Sequence, residues 1–295
     1  MKIELFHGLD YDRHKIGNNR EFIGFKDVFV KYYVKLFWER TDLAEQLLDF
    51  FLEHGLQPEL DFSSPYLLSM AEREHEALAA LWRERGFACA VHLPFVMPDA
   101  AGRVHFQPRR VLEELLRAVR AAGPYAPRHF VGHPYLFAQG ALRNNAPEEL
   151  LDLWTQVAKA CAPADLYLEN TLEQDPRALA LLAARLPENC GVCFDVGHWH
   201  ALAGGRRKRN LEVWLDELAP FIRHLHLHDN HGGYDEHLAP GHGLIDWGYF
   251  AALLPARGLK PGVTFETSFA LRDLRATRAY LTRHPKFRQA LGLGY

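Results

Sequence analysis

Short apolar runs and amphipathic runs alternate along the chain, with a repeat of roughly 30 to 40 residues, as expected of βα units around a parallel sheet. Lys2–His7 reads as a first strand, followed by a long connection over Gly8–Arg40 that carries Phe22, Phe25, Phe29, Tyr32, Tyr33, Phe37 and Trp38. A helix starts near Thr41-Asp42, repeats apolar residues at Leu43, Leu47, Phe50 and Phe51, and stops at Gly55, a common terminating residue. Further strands are expected at Gln57–Phe62, Ala88–Pro94, His129–His133, Asp165–Asn170, Cys190–Asp195, Ile222–Asp229 and Gly262–Thr267. Between and after them, helices are expected over Met70–Arg85, from Pro108, and over Pro147–Cys161, Pro176–Leu186, Asn210–Leu218, Asp246–Arg257 and Leu271–His284. Eight strands alternating with eight helices predict a single α/β domain over 1–295, a closed (β/α)8 TIM barrel. The alternative is an open doubly wound sheet, but the first strand is followed by no glycine-rich phosphate fingerprint.

The chemistry sits where the apolar runs end. Cys190-Gly-Val-Cys-Phe-Asp-Val-Gly-His-Trp-His200 is a short apolar strand finishing in Asp195, His198 and His200. Unpaired polar groups at a strand tip cost several kcal/mol to bury, and a metal ion would offset that cost. The same design recurs at His92, His133, Glu169, His226 and Glu266, with Asp235 and His237 in the loop after the seventh strand. Any one of these histidines alone reads as a hydrogen-bonded core residue. Glu169 and Glu266, closing Leu-Tyr-Leu-Glu and Val-Thr-Phe-Glu, need a partner wherever they are buried. In a barrel all these ends share one face, and together they point to a metal site. Carboxylates and imidazoles without thiolate suit Mn, Mg, Co, Zn or Fe. Cys190 and Cys193 form a CxxC, but residues three apart on a strand point to opposite faces, so they are expected to be reduced thiols like the other two cysteines.

Composition narrows the partners. The formal net charge of -3 over 295 residues gives no electrostatic case for nucleic acid or an anionic membrane. No apolar run approaches the ~20 residues of a membrane span, and the N-terminal residues lack a signal-peptide core, so a cytoplasmic protein is expected.

The motifs Leu168-Glu169-Asn170-Thr171, Phe194-Asp195-Val196-Gly197-His198, His226-Leu227-His228-Asp229, Asp235-Glu236-His237, Gly241-His242-Gly243-Leu244-Ile245-Asp246-Trp247 and Phe265-Glu266-Thr267 resemble the xylose-isomerase-like TIM-barrel superfamily. That superfamily holds sugar isomerases, sugar epimerases and endonuclease IV-type nucleases. Resemblance to the epimerases implies one divalent metal (Mn, Co, Mg or Zn) on Glu169, Asp195, His226 and Glu266. Glu169 and Glu266 would then exchange protons with opposite faces of a sugar carbon through a metal-stabilised enediolate, with His198 orienting hydroxyls. Resemblance to the nuclease branch implies three ions. His92, His133 and Glu169 would hold one; Glu169, Asp195, His226 and Glu266 the second; His198, Asp235 and His237 the third. His242 stands where the family often has a glutamate, and Pro94-Phe95 after His92 looks more like the sugar-enzyme branch. The favoured expectation is an isomerase or epimerase of a small sugar, sugar phosphate or polyol-derived substrate. An abasic-site phosphodiesterase is the alternative, and a metal-binding barrel without turnover a third.

Two loops bear on the substrate. Arg206, Arg207 and Arg209 after the sixth strand are read either as an anion clamp or as a solvated loop. The aromatic connection over Gly8–Arg40 suits a lid over a sugar or base, or an interface between copies of the chain. Trp199 and His200 are expected to line the substrate pocket, and Trp247 to belong to the core.

Overall fold

The computed structural model describes residues 32–36, 41–95, 107–135, 148–205, 210–267 and 271–293. Eight parallel strands close into a barrel in sequence order, β1 pairing with both β2 and β8. They are β1 (Tyr32–Leu36), β2 (Gln57–Asp61), β3 (Ala90–His92), β4 (His129–Gly132), β5 (Asp165–Glu169), β6 (Cys190–Asp195), β7 (Ile222–Leu227) and β8 (Gly262–Phe265). The helices are α1 (Thr41–His54), α2 (Pro65–Ser69), α3 (Glu72–Glu84), α4 (Pro108–Ala122), α5 (Glu148–Cys161), α6 (Arg177–Ala183), α7 (Val196–Ala201), α8 (Leu211–Leu218), α9 (Trp247–Ala256), α10 (Leu271–Arg283) and α11 (Pro285–Ala290). Among the described residues no helix is long and apolar enough to cross a membrane.

The first strand is a correction. The barrel is closed by Tyr32–Leu36, not by Lys2–His7, which lies outside the described residues, as do 8–31 and 37–40 of the expected connection. The reason lies in alternation. Val34 and Leu36 join the apolar layer beneath the helices, whereas Tyr33 and Lys35, on the opposite face, are buried inside the barrel. A lysine pointing inward breaks the apolar pattern of a barrel strand, and five residues then pass for part of an aromatic loop. Smaller differences follow from capping. The helix expected over Met70–Arg85 is α3, preceded by the short, unexpected α2 whose N-terminus the Ser64 side chain caps, and α7 begins directly after β6 because the Asp195 side chain caps it. All four cysteines are free thiols.

Two populations of side chains leave each strand. Outward residues such as Leu60, Val91, Phe130, Leu166, Leu168, Val192, Phe194, Leu225, Leu227 and Phe265 are buried against the helices. Many of the inward residues form polar layers. The lower layer brings together Tyr33, His129, Tyr167 and His224; the His129 ring lies 4.9 Å from that of Tyr33, 5.0 Å from Tyr167 and 4.5 Å from His224. Above it lie Lys35, Glu59, Asp61, His92, Glu169, Asp195, His226 and Glu266, all buried.

The loop after β7 is organised by Asp229. Its carboxylate accepts from the backbone N–H of Asn230 (2.9 Å), Gly241 (2.8 Å) and Ile245 (3.2 Å) and from the indole N–H of Trp247 (2.9 Å). A Cβ on Gly243 would stand 2.3 Å from an Asp229 oxygen, so that position requires glycine. These contacts explain why the His-Leu-His-Asp and Gly-His-Gly-Leu-Ile-Asp-Trp motifs occur together. Removing a buried, charged acceptor strands several donors. Asp229→Ala should lower the unfolding free energy by about 3 kcal/mol in urea denaturation; a change below about 0.5 kcal/mol, ordinary for a surface site, would show that the loop does not depend on it.

Candidate metal centre

Glu169 ends β5 at the middle of the upper layer, fully buried. Oε1 lies 3.1 Å from Nδ1 of His226 and 3.1 Å from Nδ1 of His198; Oε2 lies 3.0 Å from Nε2 of His92 and 3.3 Å from Nε2 of His133. Glu266, at the end of β8, reaches the same His226 nitrogen at 3.0 Å and the Lys35 ammonium at 2.8 Å. Asp195 is more distant, with Oδ2 4.0 Å from His226 Nδ1. Ligand atoms of Glu169, Asp195, His226 and Glu266 all lie within 4.8 Å of one another, as do those of His92, His133 and Glu169. A third group meeting the same limit contains His198, His228, Asp235 and His237.

Local structure holds these side chains in place. Asn170 braces β5 to β6, donating to the Asp195 carbonyl at 2.9 Å and accepting from its N–H at 2.8 Å. Gly197 leaves room for the His228 ring, to which a Cβ would come within 2.0 Å. His237 adopts φ 50°, strained for a residue with a Cβ, and is held by a 2.7 Å bond to the Glu266 carbonyl. A carbonyl only accepts, so the nitrogen facing it carries the proton. On that ground His92, His198 and His237 each donate Nδ1–H to a backbone carbonyl, of Leu93, Asn170 and Glu266. Each then turns Nε2 towards a carboxylate, as expected of a ligating histidine.

The donor set fits a divalent cation. Asp195 Oδ2, both Glu266 carboxylate oxygens and both His228 nitrogens are buried without a hydrogen bond among the described residues, even though Glu266 pairs ionically with Lys35. Burial works against the charge on Glu169, yet His226 and the hydrogen-bonding His133 and His198 hold its pKa well below the carboxylate range. For Glu266, Lys35 and then His226 overcome burial in the same direction. Burial also opposes charge on His226 but is outweighed by Cys193, Glu266, Glu169 and Glu59, so its pKa stands well above normal. Because burial keeps Cys193 a neutral thiol, the carboxylates supply that pull. His198 is likewise raised, against burial, chiefly by Asp195 and Asp235. His133, by contrast, is lowered by burial to about 4 and is neutral near pH 7.

Every expected metal residue lies in one of these groups. His228, present in the His-Leu-His-Asp motif, is a further member of these groups not named among the expected ligands. Lys35 was missed with β1. Glu59 and Asp61 were missed although Glu-Leu-Asp at the end of β2 carries the same signal as Leu-Tyr-Leu-Glu. Two expected pocket residues have framework roles instead. Trp199 is buried with its indole donating to Asn210 at 3.2 Å, and His200 is buried against Asn230 at 2.7 Å. Trp247 is core, as expected. Arg206, Arg207 and Arg209 lie outside the described residues. The cavity of about 950 Å³ bounded by Ala251, Pro255, Tyr280, His284 and Phe287 contains none of the clustered acids and histidines, so the chemistry and not the volume locates the site.

The model of the family described as xylose isomerase-like TIM barrel matches residues 53–284. A zinc-soaked structure of the TTHB071 protein from Thermus thermophilus is similar over 90% of this chain and 99% of that one, at 23% identity and a TM-score of 0.63. A D-tagatose 3-epimerase-like protein covers 89% and 98%, at 20% identity and 0.62. Endonuclease IV from Thermus thermophilus covers 86% and 99%, at 21% identity and 0.61. These likenesses concern the fold. In sequence, an uncharacterized protein y4fM of Sinorhizobium fredii is 32% identical over 94 residues, so the match spans 32% of this chain and 29% of that protein.

Metal binding should displace the protons that His198 and His226 hold in the cation's absence. Adding Zn(II) or Co(II) to chelator-treated protein should release protons and raise Tm. Affinity should fall as pH is lowered, because the raised imidazole pKa values favour the protonated, non-ligating form. Calorimetry in buffers of different ionisation enthalpy measures this; pH-independent binding without proton release would contradict it.

Proposed function

Because the chain belongs to the xylose isomerase-like TIM barrel family, we propose that it is a divalent-metal-dependent isomerase or epimerase of a small sugar, sugar phosphate or polyol-derived substrate. The observation carrying this reading is the convergence of Glu169 and Glu266 on His226 Nδ1 at 3.1 and 3.0 Å, both held ionised. A cation bound by Glu169, Asp195, His226 and Glu266 would supply a Lewis acid for a substrate oxygen. The protein supplies the proton carriers. Ionised Glu266 would take a proton from the carbon beside that oxygen, and Glu169 would return one to the opposite face after drawing it from the neighbouring protonated imidazole of His198, 3.1 Å away. Lys35, 2.8 Å from Glu266, keeps that carboxylate ionised until it accepts the proton. His198 and His237, both held by the Asp235 carboxylate at 3.2 and 3.0 Å, would orient hydroxyls. Burial of the carboxylates excludes bulk water and favours a compact substrate. Arg206, Arg207 and Arg209 are the groups we assign to a phosphate or carboxylate on that substrate.

A second reading, a phosphodiesterase like endonuclease IV, is favoured by one observation. Three of the four acid–histidine groups among the described residues adjoin one another, two of them sharing Glu169, as a multinuclear site would. The net charge of -3 weighs against it, since DNA binding draws on basic surface.

A panel of ketoses and their phosphates, assayed with Mn, Co and Mg in deuterated water, distinguishes the two. Deuterium should enter at the carbon next to the carbonyl, with about one equivalent of metal bound. Glu266→Gln should lower kcat at least about 100-fold while leaving circular dichroism unchanged. Clean incision of an abasic-site duplex, with near three equivalents of metal and no deuterium exchange, would replace the first reading by the second.

A further inference from the structure

Glu59 has no place in the metal groups that contain His226, yet it is fully buried directly against that histidine. A ligating imidazole must present a lone pair from one nitrogen and keep its proton on the other. For His226 the geometry identifies them. Nδ1 faces Glu169, Glu266 and Asp195, at 3.1, 3.0 and 4.0 Å. Nε2 faces Oε1 of Glu59 at 3.3 Å, an ion-pair distance, and among the described residues both atoms are buried without a completed hydrogen bond, to each other or to any other group, so a small turn of the ring would join the two. The other Glu59 oxygen accepts from the Thr264 hydroxyl at 2.6 Å, and that hydroxyl lies 2.8 Å from Nε2 of His224. Glu59 is therefore anchored from below, by β7 and β8 side chains, and its free oxygen is turned up to His226. His92, His198 and His237 rely on backbone carbonyls for the same purpose; His226 has a carboxylate.

We infer that Glu59 is a positioning residue for the metal centre, accepting the Nε2–H of His226 so that Nδ1 is fixed towards Glu169, Asp195 and Glu266. The inference rests on the metal-dependent reading above. A carboxylate behind a ligating imidazole fixes its tautomer and orientation and makes it a stronger donor. It also gives the lower layer a function, because Thr264 and His224 hold the carboxylate that holds the ligand. Two other accounts of the same residues make different predictions. Glu59, His129 and His224 also approach one another closely enough to hold an ion of their own, and the Cys193 thiol also faces His226.

The test uses the full chain, freed of metal by chelator and titrated with Co(II). It records the visible absorption of the bound ion and measures affinity by competition with a chromophoric chelator. Glu59→Gln should weaken Co(II) binding about 10- to 100-fold, change the ligand-field bands and leave the stoichiometry unchanged. Thr264→Val, which keeps the volume and removes the anchoring hydroxyl, should weaken binding in the same direction, and Thr264→Ser should restore it. These two variants carry the comparison if Glu59→Gln does not fold. Cys193→Ala should leave the bands in place. Glu59→Gln affinity within about twofold of the parent, with unchanged bands, would overturn the inference and leave the metal reading standing. So would loss of one whole equivalent of metal in Glu59→Gln, which would assign Glu59 to an ion of its own, or a band shift in Cys193→Ala alone. If the parent protein binds no Co(II), the inference and the metal reading fall together.

Discussion

The structure depends on a buried anion that must be compensated. Glu169 sits at the centre of the barrel mouth, without access to water and within about 3 Å of four imidazoles. A lone carboxylate there would cost several kcal/mol, so the side chains around it are fixed by what Glu169 requires. The same requirement extends outward. Glu266 is balanced by Lys35, and His198 and His237 by Asp235. With neither cation bound nor imidazoles protonated, the upper layer would carry an unsustainable negative charge. Protons on His198 and His226 and a divalent ion are thus alternative ways of meeting one electrostatic demand.

The closed barrel makes that arrangement attainable. Strands alternate strictly between an apolar outer face packed on helices and an inner face, and the inner face has been given to polar residues in stacked layers. The upper layer bears the chemistry. The lower layer, with Thr264, His224, His129 and two tyrosines, is too polar to be mere filling and supports Glu59 and the clustered residues above it from beneath. Loops add local braces, Asn170 between β5 and β6 and Asp229 beneath the β7 loop, that set the clustered acids and histidines on rigid ground.

Much of this was legible in the sequence. Strands β3 to β8 follow largely apolar runs of the right length, and each run that ends in His, Asp or Glu delivers that residue to the shared face. The nine acids and histidines named from the sequence are all found in the clusters. What escaped did so for physical reasons. In β1 the inward lysine interrupts hydrophobic periodicity, and only its pairing with Glu266 explains why it is there. Glu59 and Asp61 looked like the polar residues of an ordinary strand because Pro58 and a short apolar content weaken the run. His198 and His200 follow one strand but occupy a capped helical turn, which sends His198 to Glu169 and Asp235 and His200 to Asn230. Trp199 resembles a pocket wall in sequence and is core in the fold, where its indole donates to Asn210 and its ring lies close against Gly205.

The central claim is that one small volume between Glu169, Asp195, His226 and Glu266 grips a cation. A crystal soaked in Mn(II) or Zn(II), with anomalous data collected at the metal edge, measures this directly. The predicted result is a peak about 2.0–2.2 Å from carboxylate oxygens of the three acids and from Nδ1 of His226. A fully soaked crystal with no peak there, or with Glu169 and Glu266 turned away from each other, would contradict it.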